Sequence, residues 1–366
     1  MTSNFQKIGD YISTIDNRNS DGSITRLMGI SIDKCYIPSV ANVIGTDLKN
    51  YKIIRKDQFA CSLMQVSRDQ RIPIAMYEDD VPAIMSPAYV MFEVSRPDEL
   101  LPEYMELWFM RAEFDREASF YAVGGVRGSL DWEDFCKMEL PVPPLSEQRK
   151  IVRDYQVITD RIGVLRKMNG LQEELIKTLY RKAKSVPESK RATITVSDFC
   201  KVFTGKKDVN QAIANGKNRF YSCSPIPARS NDAIHEGRAI LVAGNGSYTG
   251  RTMFVDEAFD LYQRTYALTP INKNCIELFL IYAALQTDFQ EQIESKLHGS
   301  AIPYIVFGDL ADFSFSINED YQFVGESIKT LVYRAIKNNL EIEQLSSLKS
   351  LMLSSLVSTK KDGGRI

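Results

Sequence analysis

Leu140-Pro141-Val142-Pro143-Pro144-Leu145-Ser146-Glu147-Gln148-Arg149-Lys150-Ile151-Val152 is where one kind of structure stops and another starts. Its three prolines exclude both a helix and a central strand, so a globular unit ends here. From Ser146 the pattern is helical: Ser146 reads as the N-cap, and Glu147 lies in the first turn, where the helix dipole favours an acid. Apolar residues then fall at Ile151, Tyr155, Ile158, Ile162 and Leu165, and again at Ile176 and Leu179. This is the alternating four-three spacing of a coiled-coil seam, with Asn169 as a polar, register-setting member. The pattern holds to about Lys184, and Pro187 stops it. At about 1.5 Å per residue, some 40 helical residues make a rod of roughly 60 Å, a spacer and not a core helix.

The same segment returns in diverged form. Adding 177 to each seam position gives Ile328, Val332, Ala335, Asn339, Ile342, Leu353 and Leu356, and Asn339 alone breaks the apolar match. The intervening seam positions are Asn169 and Gln172 in the first helix and Ser346 and Lys349 in the second, so both seams turn polar at one place. Upstream, Ile8-Gly9-Asp10-Tyr11 is echoed by Val196-Ser197-Asp198-Phe199. Gly124, Leu130, Trp132, Asp134, Phe135, Leu140 and Val142 line up with Gly299, Ile305, Phe307, Asp309, Leu310, Phe315 and Ile317 at a constant offset of 175. A shared order with a shared defect indicates an internal duplication. A duplicated reader on a duplicated spacer suits a partner that is two-fold and asymmetric in sequence, such as duplex DNA.

Inside each globular unit the pattern is mixed. Short β-like runs at Tyr51-Lys52-Ile53-Ile54, Tyr89 to Val94 and Ala239-Ile240-Leu241-Val242 alternate with turns at Gly22, Gly45, Gly205 and Gly244-Asn245-Gly246. One helix is expected per unit, over Glu103 to Ala118 in the first and Ile276 to Lys296 in the second.

The chain has 366 residues and is 44% hydrophobic, enough for two domains with real cores. Six cysteines stand apart without a CxxC pair and only two histidines are present, which argues against a zinc site or disulfide framework and for a reducing cytoplasm. The amino terminus lacks an apolar signal core, and the longest apolar run, Leu278 to Leu285, is too short to span a bilayer. The net charge of -2 is low for a DNA binder. Its distribution is uneven, however: Lys52, Arg55, Lys56, Arg68 and Arg71 cluster, and the first long helix is rich in Lys and Arg. Such local patches can face phosphates while a partner supplies the remaining charge.

Catalytic chemistry is hard to find. Ser86-Pro87-Ala88-Tyr89 is one residue away from an amino-methyltransferase motif, but no glycine-rich cofactor loop accompanies it. Gly205-Lys206 lacks both the earlier glycine and the following hydroxyl residue of a phosphate loop. The cluster Asp131, Glu133 and Asp134 reads as a capped turn, and no nucleophile-base pair stands out.

At Gly124-Gly125-Val126-Arg127-Gly128-Ser129-Leu130-x-Trp132, and through the Leu-Pro-x-Pro-Pro-Leu-x-Glu-Gln lead-in, the chain closely resembles the specificity subunit of type I restriction-modification systems. The likeness covers essentially the whole chain. It implies two tandem α/β (α+β) target-recognition domains joined by two long antiparallel coiled-coil helices with pseudo-two-fold symmetry. The corresponding segments are 1–144 and 188–320 for the recognition domains, 145–187 and 321–360 for the spacer helices, and 361–366 for a disordered tail. The implied protein is cytoplasmic and binds double-stranded DNA, one recognition domain per half-site, while the helices set the gap. It catalyses nothing itself. Two methylation subunits and motor-nuclease subunits would be its partners, with S-adenosylmethionine, ATP and magnesium on those partners and no metal or membrane contact of its own. The second lead-in, Phe315-Ser316-Ile317-Asn318-Glu319-Asp320, lacks the prolines and is expected to be less rigid.

Under this resemblance the candidate base readers of the first domain are Gln65, Ser67, Arg68, Gln70 and Arg71, a polar segment between two apolar runs. In the second they are Asn245, Ser247, Tyr248, Thr249 and Arg251 at the matching place, with Lys206, Lys207 and Arg219 as phosphate contacts. Two rivals stay open: a recognition subunit whose partner fuses methylation and cleavage in one polypeptide, and a coiled-coil scaffold whose globular ends bind proteins.

Overall fold

The computed structural model describes residues 5–39, 45–64, 66–124, 128–296 and 303–356. The chain forms two compact units, unit 1 from Met1–Ile162 with Gln344–Ile366 and unit 2 from Gly163–Glu343. In chain order unit 1 holds strands β1 (Phe5–Lys7), β2 (Ile12–Ile15), β3 (Met28–Ile30), β4 (Tyr36–Pro38), β5 (Lys52–Ile54), β6 (Phe59–Cys61), β7 (Ile74–Met76), β8 (Ala83–Met85), β9 (Val90–Val94) and β10 (Glu139–Pro141). Its helices are α1 (Val66–Asp69), α2 (Pro102–Phe109), α3 (Ala112–Tyr121) and α4 (Trp132–Lys137), followed by the start of α5 (Leu145–Lys184). Unit 2 holds β11 (Arg191–Thr195), β12 (Cys200–Thr204), β13 (Asn218–Tyr221), β14 (Ala228–Ser230), β15 (His235–Ala243), β16 (Thr252–Leu261), β17 (Thr265–Pro270) and β18 (Ser314–Asn318). Its helices are α6 (Val196–Phe199), α7 (Glu277–Leu285), α8 (Asp288–Lys296) and α9 (Phe307–Ala311), followed by the start of α10 (Gln322–Ser355).

The two units repeat one plan. In unit 1 the sheet order is β2-β9-β6-β7, and the six-stranded sheet of unit 2 begins β12-β17-β15-β16 before adding β13 and β14. A separate two-stranded ladder fixes the lead-in to each long helix, β1 with β10 and β11 with β18. Even single hydrogen bonds recur: Ile8 N donates to Met138 O as Val196 N donates to Phe313 O. The second lead-in has no prolines, yet it is held over five residue pairs where the first has three.

Two local readings are corrected. Glutamate 147 and glutamine 148 donate their backbone N–H groups to Pro144 O, so the ladder of α5 opens on Pro144, and Ser146 lies inside the first turn. Proline suits this place because it has no N–H to leave unsatisfied. Gln148 is fully buried, donating Nε2 to Glu99 O and Pro143 O at 2.7 Å while Oε1 accepts from Leu101 N at 2.8 Å. The glutamine of the lead-in is therefore a lock on the proline segment.

The single helix expected in each unit is in both cases two helices. In unit 1 the ammonium of Lys34 takes the Phe109 carbonyl, and the extended Arg111 lays its guanidinium 3.9 Å from the Trp108 ring centroid. In unit 2 the Thr287 hydroxyl donates to Ala283 O at 2.9 Å, competing with the backbone ladder where α7 ends. Breaking at these points lets the second segment of each pair turn its own apolar residues, Phe114 and Phe289, into the core.

Unit 1 is built around Phe59, Phe92, Phe109, Phe114 and Phe135, with Phe59 and Phe92 stacked at 5.2 Å. Unit 2 buries α7, whose apolar surface runs all round, against Phe254 and the start of α10. Each apolar seam residue named above is buried or half-buried, while the polar seam positions Asn339 and Ser346 are exposed. Ile176, Ile328 and Val332 belong to the core of unit 2; Leu356 belongs to that of unit 1, where Ile151, Tyr155 and Leu353 pack against it. Asn339, the one residue that broke the repeat, accepts from Asn169 Nδ2 at 2.8 Å, and Asn338 Nδ2 donates back to Asn169 Oδ1 at 2.8 Å.

Candidate nucleic-acid interface

The candidate readers lie on equivalent loops. In unit 1 they fall between β6 and β7, in unit 2 between the corresponding strands β15 and β16. Both loops are tied near their start by the same bond, Leu130 N to Leu63 O at 2.9 Å and Ile305 N to Gly244 O at 3.0 Å. The segment that clasps each loop is the one whose residues aligned at the offset of 175.

In unit 1, α1 is anchored by buried Val66 and presents the polar residues outward. Ser67 Oγ lies 3.4 Å from Gly128 O. Gly128 has φ +72°, and a Cβ there would fall 2.1 Å from that hydroxyl, so this clasp requires glycine. Arg68 grips Asp69 with Nε at 2.7 Å and Nη2 at 3.2 Å, while Arg71 pairs with Asp33 at 2.9 Å. Gln70 adopts φ +55° and donates Nε2 to Ser67 O. The two arginines are exposed, and surface pairs of this kind contribute about 0–1 kcal/mol, so either can exchange its carboxylate for another acceptor. Gln65 lies outside the described residues.

In unit 2 the loop folds into a short turn over Gly246–Tyr248. Ser247 and Tyr248 are exposed, and Thr249 Oγ1 sits 2.6 Å from Gly246 O and 2.9 Å from Pro303 O. Asn245 Oδ1 accepts from the Cys223 thiol at 3.1 Å. Arg251 lies 5.7 Å from the Tyr248 ring and donates Nη2 to Ser224 O at 2.6 Å. Burial lowers its pKa from the ordinary arginine value.

The three cations read as phosphate contacts differ in their surroundings. Lys207 is held 2.6 Å from both Asp232 and Asp260 and 3.0 Å from Ser230 Oγ. Burial would raise the Asp260 carboxyl, but hydrogen bonds from Lys207, Ser230 and Leu261 N outweigh it and hold its pKa below the usual carboxylate value. Arg219 reaches Glu343 at 2.7 Å and Glu257 at 3.5 Å. Both charges are thus compensated inside unit 2. Lys206 is exposed and has no ion pair among the described residues, as are Lys217, Arg229 and Arg264, which sequence reasoning passed over.

Each reader loop borders a groove. In unit 1 it measures about 520 Å³ and is lined by Gln70, Arg71, Asp115, Arg116 and Tyr155 among others. The groove of unit 2 measures about 390 Å³ and is lined by Lys177, Ser247, Tyr248, Arg251, Gln286 and Gln290 among others. Both sit beside the helix break. Among the described residues, Arg251 Nε and Gln286 Oε1 are buried without a hydrogen-bond partner. No group of three or more His, Cys, Asp or Glu that could hold a metal occurs among the described residues, and none of their helices is long and apolar enough to cross a membrane.

Residues 188–322 match the family model for the type I restriction modification DNA specificity domain. This segment is thus similar to a type I DNA specificity domain. It contains the complete six-stranded sheet and the reader loop of unit 2. The chain is also 30% identical to the type I restriction enzyme EcoDI specificity subunit of Escherichia coli over 163 residues, 43% of this chain and 34% of that protein. The chain thus aligns with about a third of that relative's length. The fold of the chain resembles that of the S subunit of a type I restriction-modification system from M. genitalium, with a TM-score of 0.61 at 14% identity over 96% of this chain and 95% of that one.

Proposed function

We propose that the chain is the sequence-reading subunit of a type I restriction-modification complex. It binds duplex DNA in two places, one reader loop to each half of a split target, and catalyses no step itself. The observation that carries this reading is the recurrence of one loop, closed by one hydrogen bond, in the specificity domain and again in unit 1. Backbone contacts would come from exposed Lys206, Lys217, Arg229 and Arg264, and base contacts from Ser247, Tyr248, Ser67, Gln70 and the two exchangeable arginines of unit 1. Methylation of adenine with S-adenosylmethionine, and ATP- and magnesium-dependent cleavage, belong to partner subunits in the cytoplasm. The test is to produce the chain with its methylation subunit in a methylation-free host and map the modified adenines. A split motif with a fixed gap is expected; a stable complex that modifies nothing would remove the reading in favour of a scaffold.

A docking surface for the methylation subunits is available on α5. Val164, Met168, Leu171 and Leu175 are between 42% and 63% exposed and recur at four-three-four spacing on a helix face that flanks the seam. Apolar rows of this kind on a soluble protein mark an interface, and their period fits a partner helix. Leu171→Glu combined with Leu175→Glu should abolish co-purification with the methylation subunit, because two carboxylates would be buried unpaired, while the helical signal of the free chain stays unchanged.

A further inference from the structure

From the geometry of unit 2 we infer that Ser222-Cys223-Ser224-Pro225-Ile226-Pro227, the link between β13 and β14, is a second DNA-contacting element. Its working residue is Ile226, an apolar wedge against the base pairs, and Arg251 is its brace. This inference rests on the DNA-reading role proposed above and adds a loop and a mode of contact to it.

The loop is fastened directly to the reader loop. Arg251 Nη2 donates to Ser224 O at 2.6 Å and lies 3.5 Å from Cys223 O. The Cys223 thiol donates to Asn245 Oδ1 at 3.1 Å and also lies near Arg264 O and Thr265 Oγ1. Two hydroxyl turns stiffen the tip, with Ser222 Oγ accepting from Ser224 N and Ser224 Oγ from Ile226 N. Prolines on both sides then fix their own φ and restrict Ile226, which precedes one of them.

What this scaffold holds out is unusual: Ile226 is 79% exposed, and among the large apolar side chains of the described residues only Phe323, at 81%, exceeds it. A flexible loop could fold such a side chain back onto its own unit, whereas one held between two prolines cannot. The charge around it selects the partner. From Val209 to Asn231 the chain contains no Asp or Glu, while Lys217 and Arg229 are exposed and have no ion pair among the described residues. A rigid apolar tip in an acid-free, cationic stretch fits a polyanion with an apolar interior, which is duplex DNA. Branched aliphatic side chains serve there as wedges at base steps or as partners for a thymine methyl group. Arg251, read from sequence as a base reader, is reassigned by the same contacts: its Nη2 is held by the loop carbonyls.

The experiment uses the complete complex with the methylation subunit and a duplex carrying the motif that the complex is found to modify. Ile226→Ser should weaken binding roughly tenfold, the scale of one aliphatic side chain left in water, with the salt dependence of binding unchanged because no phosphate contact is lost. Arg251→Lys keeps the charge but is too short to carry a donor to the position of Nη2, so it too should weaken binding at unchanged salt dependence; full retention would show that Arg251 acts as a plain cation and would overturn the brace. Undiminished affinity of the Ile226→Ser complex would overturn the wedge while leaving the DNA-reading role standing. Loss of the methylation subunit from that variant would assign the tip to a protein partner instead. If the parent complex itself shows no salt-dependent affinity for DNA, it is the DNA-reading role that fails.

Discussion

Lys207→Met should lower the stability of unit 2 by about 3 kcal/mol, because removing one partner of a buried pair strands the other. Asp260 is only 5% exposed on its side chain and sits in the middle of the three-pair β13–β16 register, opposite Phe220. Without the ammonium it keeps one hydroxyl and one backbone donor, from Ser230 and Leu261, and no cation. The Asp232 arm is 75% exposed and contributes little. The sign of the pH dependence follows from the lowered pKa of Asp260. A carboxyl depressed in the folded state stabilises above its ordinary value and loses that contribution as pH falls through the depressed value. The difference between parent and variant should therefore be largest near neutrality and shrink below about pH 4. Thermal unfolding at several pH values checks this: a fall in Tm of roughly 6–12 °C at neutral pH is expected. A neutral-pH difference near zero would mean that Lys207 is available to phosphate after all.

On the proposed reading, exchange of residues 188–320 for the matching segment of a type I specificity domain should replace one half of the modified motif outright, leaving the other half and the gap unchanged. The reader loop, the loop holding Ile226 and their fastening bonds all lie within that segment. Each wrong base pair in a site costs about 1–3 kcal/mol, roughly additively for separated positions, so a half-site read by one unit switches as a block. Mapping of methylated adenines reads the outcome directly. A chimaera in which both halves change would show that the two units do not read independently.

Legibility of the fold from sequence followed the range of the interactions. The lead-in prolines, the seam and the duplication were readable because each depends on neighbours a few residues away. The helix breaks were half-readable: Thr287 acts on its own helix, while the break after Phe109 depends on Lys34, 75 residues distant. Gly205-Lys206 shows the same limit. Its likeness to a phosphate loop dissolves once Leu261 O is found 1.7 Å from where a Cβ on Gly205 would stand. The glycine is needed for close packing of two backbones, not for an anion. The loop holding Ile226 carried a signal, isoleucine between prolines in an acid-free stretch, that only its attachment to the reader loop made meaningful.

The sequence by itself determined the α/β class, the duplication and the two long helices, since backbone restriction by proline and apolar periodicity act along the chain. Tertiary structure decided which cations are spent and which are offered. Lys207, Arg219 and Arg251 look alike as letters, but carboxylates and carbonyls from 25 to 124 residues away satisfy them, while Lys206 and Arg229 remain exposed without ion pairs among the described residues. Coulomb attraction and hydrogen bonding fall with distance through space, and only the fold sets that distance.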